Sequence, residues 1–150
     1  MEESSIKSKP SPMEELNIRT AQRVWDEVWH KGDFGVIDEL FDAGFIRHDL
    51  DPAHGQGKKE NEEFTRRMKV TFPDLHYTID DVIAKDDKVV TRYRFEGTNL
   101  GDALGFKATG KKGVYNGILI QRFEKGKIAE QWTQADLLTL FRQLGLIPKN

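Results

Sequence analysis

The stretch from Val114 to Asp136 constrains this chain more than any other. It reads V-Y-N-G-I-L-I-Q-R-F, then E-K-G-K, then I-A-E-Q-W-T-Q-A-D. Apolar and polar side chains alternate along both arms and a turn falls at Gly126, so the stretch predicts a β-hairpin. Strand side chains point to one face at every second residue. The first arm therefore places Tyr115, Gly117, Leu119 and Gln121 on one face, and Asn116, Ile118, Ile120 and Arg122 on the other. The second arm divides into Ala129, Gln131, Thr133 and Ala135 against Ile128, Glu130, Trp132 and Gln134. Ile118, Ile120, Ile128 and Trp132 gather on one side, and small and polar groups on the other. A strand that only fills a core does not need Gln and Thr pointing inward, whereas a strand lining a pocket does. Asn116 falls on the apolar side unless a bulge at Gly117 reverses the parity.

The rest of the chain supplies what this hairpin packs against. Residues 1–11 are rich in Ser and Lys and read as a disordered tail, and residues 12–150 read as one domain. Ser11, Pro12 and Glu14 form a helix start of the capping-box kind. Leu16, Ala21, Val24, Trp25, Val28 and Trp29 follow at near-helical spacing, which carries the first helix to about His30. A short second helix opens at Asp33, keeps Val36, Ile37, Leu40 and Phe41 inward, and closes at Gly44. Phe45 to His48 is extended, and residues 49–58 are loop. A third helix spans about Lys58 to Thr71. Leu75, Tyr77 and Ile79 then alternate with polar residues. Val89, Thr91, Tyr93 and Phe95 share one face of the next strand. A glycine-rich loop leads to the hairpin, and Asp136 caps a last helix that stops at Gly145. Helices first, sheet after, is the order of an α+β fold rather than of βαβ units.

Composition excludes several classes of function. No apolar run approaches the ~18 residues of a membrane span, and the N-terminus lacks the apolar core of a secretory signal. There are no cysteines, which removes disulfides, thiol catalysis and thiolate metal sites and fits a reducing cytoplasm. A net charge of −2 gives no reason to expect a nucleic-acid partner.

The strings F-I-R-H-D, F-P-D-L-H-Y-T-I-D-D and G-K-I-A-E-Q-W, with the ending Q-L-G, resemble the SnoaL-like polyketide (ester) cyclases of the NTF2-like superfamily. The resemblance covers about Met13 to Pro148. It implies a cone in which a curved, mostly antiparallel sheet is wrapped by three N-terminal helices and a short C-terminal helix, with a cavity between. In the characterised cyclases an Asp on the last strand is the general acid/base of an intramolecular aldol closure, and a His stands two residues earlier. Those positions here are Thr133 and Gln131, so the family's H-W-D reads Q-W-T. A threonine hydroxyl cannot exchange a carbon-bound proton at neutral pH without an adjacent base. A further His of those enzymes falls near Leu119. The resemblance implies a cofactor-independent cyclase or isomerase acting on an apolar, oxygenated small molecule; a binding module of the same shape is the alternative.

On this reading Tyr93, Tyr115, Leu119, Gln121, Gln131 and Thr133 bind the ligand. Proton transfer falls to His48, near where the ketosteroid isomerases of the same superfamily hold a carboxylate base, and to Asp136. Asp136 also stands where an Asp caps a helix. His48, Asp49, Asp51 and His54 spell H-D-x-D-x-x-H, residue types that ligate divalent ions. Pro52 and Gly55 mark that stretch as a turn, in which Asp is common for its own reasons, so no metal is assigned. The apolar face with Ile118, Ile120 and Trp132 predicts a homodimer through the sheets.

Overall fold

The computed structural model describes residues 9–148, so residues 1–8 of the expected tail lie outside it. Helix α1 (Pro12–Arg23) begins at a capping box: Glu14 donates its amide to the Ser11 hydroxyl, and its carboxylate accepts the Ser11 amide. It continues as a π-helical segment, Val24–His30, whose Val24, Trp25, Val28 and Trp29 are all buried. After a 3-10 turn at Phe34–Val36, α2 (Ile37–Leu40) leads directly into β1 (Phe41–Arg47). The second helix is thus shorter than its apolar pattern suggests, because Phe41 already has extended backbone. Helix α3 (Lys58–Thr71) follows, then β2 (His76–Lys85), β3 (Lys88–Thr98), β4 (Lys112–Glu124), β5 (Lys127–Ala135) and α4 (Leu137–Gln143).

The five strands form one sheet in the order β1-β5-β4-β3-β2. Every neighbouring pair is antiparallel except β1 with β5. The β3–β4 ladder runs without a slip from Lys88 opposite Arg122 to Thr98 opposite Lys112. The hairpin of β4 and β5 turns through Lys125 and Gly126, both with positive φ (49° and 80°), the conformation of a two-residue turn matched to strand twist.

The register of this hairpin shifts between Arg122 and Phe123: Arg122 faces Glu130 and Phe123 faces Ile128, leaving Ala129 as an extra residue. The bulge inverts the parity that simple alternation assigns to Ile128. Its side chain is fully buried, not on the outer face with Trp132. Beyond the bulge the alternation holds: Gln131 is buried and Trp132 is 36% exposed.

The core lies between the sheet's inner face and α1 with its π-helical extension. Trp25 packs on Tyr77 and Tyr93 at ring-centroid distances of 4.9 and 5.2 Å, and Trp29 on Tyr77 at 4.9 Å. Full burial of a large apolar side chain contributes about 1.5–3 kcal/mol, so these ring contacts fasten the helix to the sheet. Helix α4 closes the far end, where Leu140 fills the space that Gly113 leaves without a side chain. Among the described residues no helix is long and apolar enough to cross a membrane.

His30 ends the first helical segment with its ring stacked on His76, centroids 4.7 Å apart, and its Nε2 accepts the Tyr77 amide at 3.0 Å. Burial, and then the neighbouring His76, hold its pKa below the usual value. An unfolded histidine titrates near ~6.5. Between that pH and the lower folded value the unfolded chain binds more protons, so this contribution to stability is whole above ~6.5 and is lost on acidification. We expect the urea midpoint to fall as pH drops from neutral through this window. The His30→Gln variant should show a shallower fall, and an unchanged slope would exclude His30 as the cause.

Candidate active site

The inner face of the sheet, the π-helical extension of α1, α3, the segment after β1 and the start of α4 line a cavity of about 440 Å³. That volume lies within the range of small-molecule sites. Tyr93, Tyr115, Leu119, Gln121, Gln131 and Thr133 all line it, joined by Trp25, Trp29, Tyr77 and Phe64. Parity explains why these residues meet. Tyr93 faces Gly117 across the ladder, Leu119 faces Thr133, and Gln121 faces Gln131, all on the inner side.

The polar part of this wall is a chain of hydrogen bonds. Gln121 donates its Nε2 to Gln131 Oε1 at 3.1 Å, and Gln131 donates its Nε2 to the Thr133 hydroxyl oxygen at 3.1 Å. Gln121 is 3% exposed, and its Oε1 has no partner among the described residues. Thr133 accepts from Gln131, so its own hydroxyl hydrogen is free to donate. The wall therefore offers an acceptor at one end and a donor at the other.

Three tyrosines stand beside it. Burial pushes all three phenols upward in pKa, Tyr115 to about 12. At neutral pH they are donors, not bases. Gly117 gives the Tyr93 ring its seat, because a methyl group there would overlap Tyr93 Cζ and Oη.

Charge enters through the segment after β1. The Arg47 side chain is 8% exposed and that of Asp49 25%; Nε and Nη2 of the guanidinium each meet one carboxylate oxygen at 2.9 Å. Nη1 donates to Asn61 Oδ1 at 3.1 Å, and the guanidinium carbon sits 4.6 Å above the Phe64 ring. Both ends of this ion pair line the cavity. Sequence reasoning missed it by attending to His48. The available signal was parity, since Arg47 shares a face with Phe45 and His48 does not.

His48 lies outside the cavity wall. Its ring stacks on the outer-face Trp132 at 4.9 Å, and its Nε2 meets Glu130 Oε2 at 2.7 Å. Asp136 is exposed and caps α4: its carboxylate accepts the Thr139 amide at 3.1 Å and the Thr139 hydroxyl at 2.6 Å. Those bonds lower its pKa, and it too is absent from the cavity wall. The H-D-x-D-x-x-H residues go separate ways. Asp49 pairs with Arg47 and His48 with Glu130, while Asp51 accepts the Ala53 amide in the turn and meets His54. Asn116 faces outward, opposite Arg94.

Comparison with known proteins places this geometry. The family model described as SnoaL-like polyketide cyclase matches residues 19–144. A proposed SnoaL-like polyketide cyclase from Jannaschia sp. CCS1 is similar at 25% identity over 95% of this chain and 100% of its own, with a TM-score of 0.83. TsrD from Streptomyces laurentii is 30% identical over 86% of this chain and 97% of its own, with a TM-score of 0.76. A proposed polyketide cyclase from Bacillus cereus ATCC 10987 is 29% identical over 89% of this chain and 83% of its own, with a TM-score of 0.75. Among curated protein sequences, none matches the chain.

The seat of Tyr93 is directly testable. Gly117→Ala forces the ring toward the cavity, and overpacking of this kind costs about 1–3 kcal/mol. The open cavity takes up part of the displacement, so urea unfolding should report a loss in the lower half of that range. No loss would mean that the ring and strand accommodate the methyl freely.

Proposed function

The chain belongs to the SnoaL-like polyketide cyclase family, and from that premise we propose that it is a cofactor-independent pocket protein of the cyclase or isomerase type. Its ligand is a neutral, apolar, oxygenated molecule of polyketide-like character. One observation carries this reading: the buried chain Gln121–Gln131–Thr133 ends in an acceptor without a partner and a free donor. A buried polar atom without a partner is costly, and a ligand hydroxyl over Gln121 with a carbonyl over Thr133 would satisfy both ends. Aromatic rings around that pair suit a flat, unsaturated skeleton.

A second reading is a binding module without chemistry. It is favoured by Gln131 and Thr133 standing where the characterised cyclases carry His and Asp, since neither side chain can carry a proton away at neutral pH. Turnover separates the readings, because both require binding.

Two copies pair through the outer face of the sheet in this proposal. Ile118 is 48% exposed and Trp132 36%, the half-buried Ile120 lies opposite Trp132, and Ile46, 41% exposed, extends the apolar face offered to a second copy. Sedimentation should give about twice the 17.3 kDa chain mass, and Trp132→Glu should return it to the single-chain value. A parent protein that sediments as a monomer would remove the dimer from the proposal.

A hydroxyanthraquinone is a suitable binding probe, with Trp25 and Trp29 in the cavity wall as reporters by fluorescence quenching. Thr133→Val should weaken its binding by roughly 0.5–1.5 kcal/mol, the net worth of one ordinary hydrogen bond. Equal affinity in the two proteins would mean that the chain does not orient the ligand.

A further inference from the structure

We propose that Asp49 is the group that removes a proton from a ligand carbon in this cavity, with Arg47 as its positioning residue and the Tyr93 hydroxyl as donor to the oxygen on which negative charge collects. The inference rests on the cavity being a ligand site and adds the chemistry performed there.

Elimination among the described residues of the cavity wall leads to Asp49. The Arg47 guanidinium stays protonated in proteins. The phenols of Tyr77, Tyr93 and Tyr115 are pushed above their ordinary range and hold their protons at neutral pH. Glutamine and threonine side chains accept hydrogen bonds but not protons. His48 and Asp136 do not open into the cavity. Asp49 is the one carboxylate in the wall.

Its mounting suits the task. Arg47 is held by Asn61 and Phe64, and grips each oxygen of Asp49 with one N–H at 2.9 Å, which fixes the plane of the carboxylate. That fork uses one lone pair on each oxygen; an ionised carboxylate has about four lone-pair sites, so others remain for a ligand. The charges of the pair cancel, so the cavity suits a neutral substrate. Tyr93 sits over Gly117, and no described residue takes its hydroxyl hydrogen.

The step balances without an added reactant. The ligand C–H bond breaks and its proton goes to a carboxylate oxygen of Asp49. The C–H electron pair becomes the C=C bond of an enolate, and the carbonyl π pair moves onto oxygen, where the Tyr93 hydroxyl donates to it. As Asp49 is neutralised, Arg47 keeps a positive charge near the enolate. A carboxylate is a weak base, so the carbon must be acidified, as between two carbonyl groups.

Nitrobenzisoxazole tests this without knowledge of the natural ligand. A base removes its ring C–H proton, that electron pair completes a nitrile, and the N–O bond breaks to leave a coloured phenolate. Binding is read separately, by quenching of Trp25 and Trp29. We expect saturable elimination faster than acetate gives at equal concentration, with a single ionisation on the acidic side of the pH profile. Asp49→Asn should lower kcat by ~10²-fold or more with KM nearly unchanged, and Asp49→Glu should keep part of the rate and the acidic arm. If Asp49→Asn strands the Arg47 charge and unfolds, the double variant Arg47→Met with Asp49→Asn removes both charges and should be equally inactive. Arg47→Lys should displace the acidic arm, which a merely structural contact would leave in place. Quenching without elimination, or an undiminished rate in the Asn or the double variant, would overturn the assignment and leave the pocket standing. If the probe does not quench, the cavity is not a ligand site and the inference falls with it.

Discussion

The unbroken register between β3 and β4 is the constraint on which the rest depends. Eleven successive positions pair without a bulge, from Lys88 with Arg122 to Thr98 with Lys112. A slip of one residue would turn the whole inward set of one strand outward: Val89, Tyr93 and Phe95 if β3 moved, or Tyr115, Leu119 and Gln121 if β4 did. A slip of β3 would also remove a ring contact that holds the first helix, because Trp25 packs on Tyr93 as well as on Tyr77 of β2. Tyr93 over Gly117 is a local expression of the same register: the ring lies where its cross-strand partner has no side chain.

Much of this was legible in the sequence because period-2 alternation and helix caps are local signals. Ser11, Pro12 and Glu14 announced the first helix, and the alternation from Val114 onward announced the cavity wall. What alternation cannot report is a break in itself. Ile128 looks like an outer-face residue until Ala129 is recognised as a bulge, and only pairing with β4 reveals that. The site was harder to read for a different reason. Arg47 and Asp49 are ordinary surface residues by composition, and the burial of Arg47, with Asp49 held against it at the cavity, follows from the parallel pairing of β1 with β5 and from the position of Asn61 on α3, both long-range facts. His48 is conspicuous by residue type, although Phe45 and Arg47 already set its face outward.

The electrostatics of the cavity follow from how its polar groups are paid for. An isolated charge in an aromatic cavity would be severely destabilising, and the fork of Arg47 on Asp49, backed by Asn61, avoids that. The glutamine–threonine chain is incomplete by comparison. One buried amide oxygen on the cavity wall is left without a partner among the described residues, and native folds seldom tolerate that without a reason. The two halves differ accordingly: the ion pair is satisfied within the chain, and the amide chain leaves one acceptor open.

The β1–β5 seam joins these halves. It has three paired positions and an Asx turn at Asp42 that lifts part of β1 out of register, with the Gly44 amide on the Asp42 carboxylate at 2.8 Å. Beside the cavity it comes down to Ile46 and Arg47 opposite Glu130 and Gln131, and to the His48 amide on the Gln131 carbonyl at 2.9 Å. Partial openings follow the least-bonded boundary of a fold. Here that boundary runs between the strand carrying the guanidinium and the strand carrying the amides. An opening along that boundary would separate Arg47 from Gln131 while the β2–β3–β4–β5 ladders stay paired, so the weakest join in the cavity wall is also the sheet's sparsest edge.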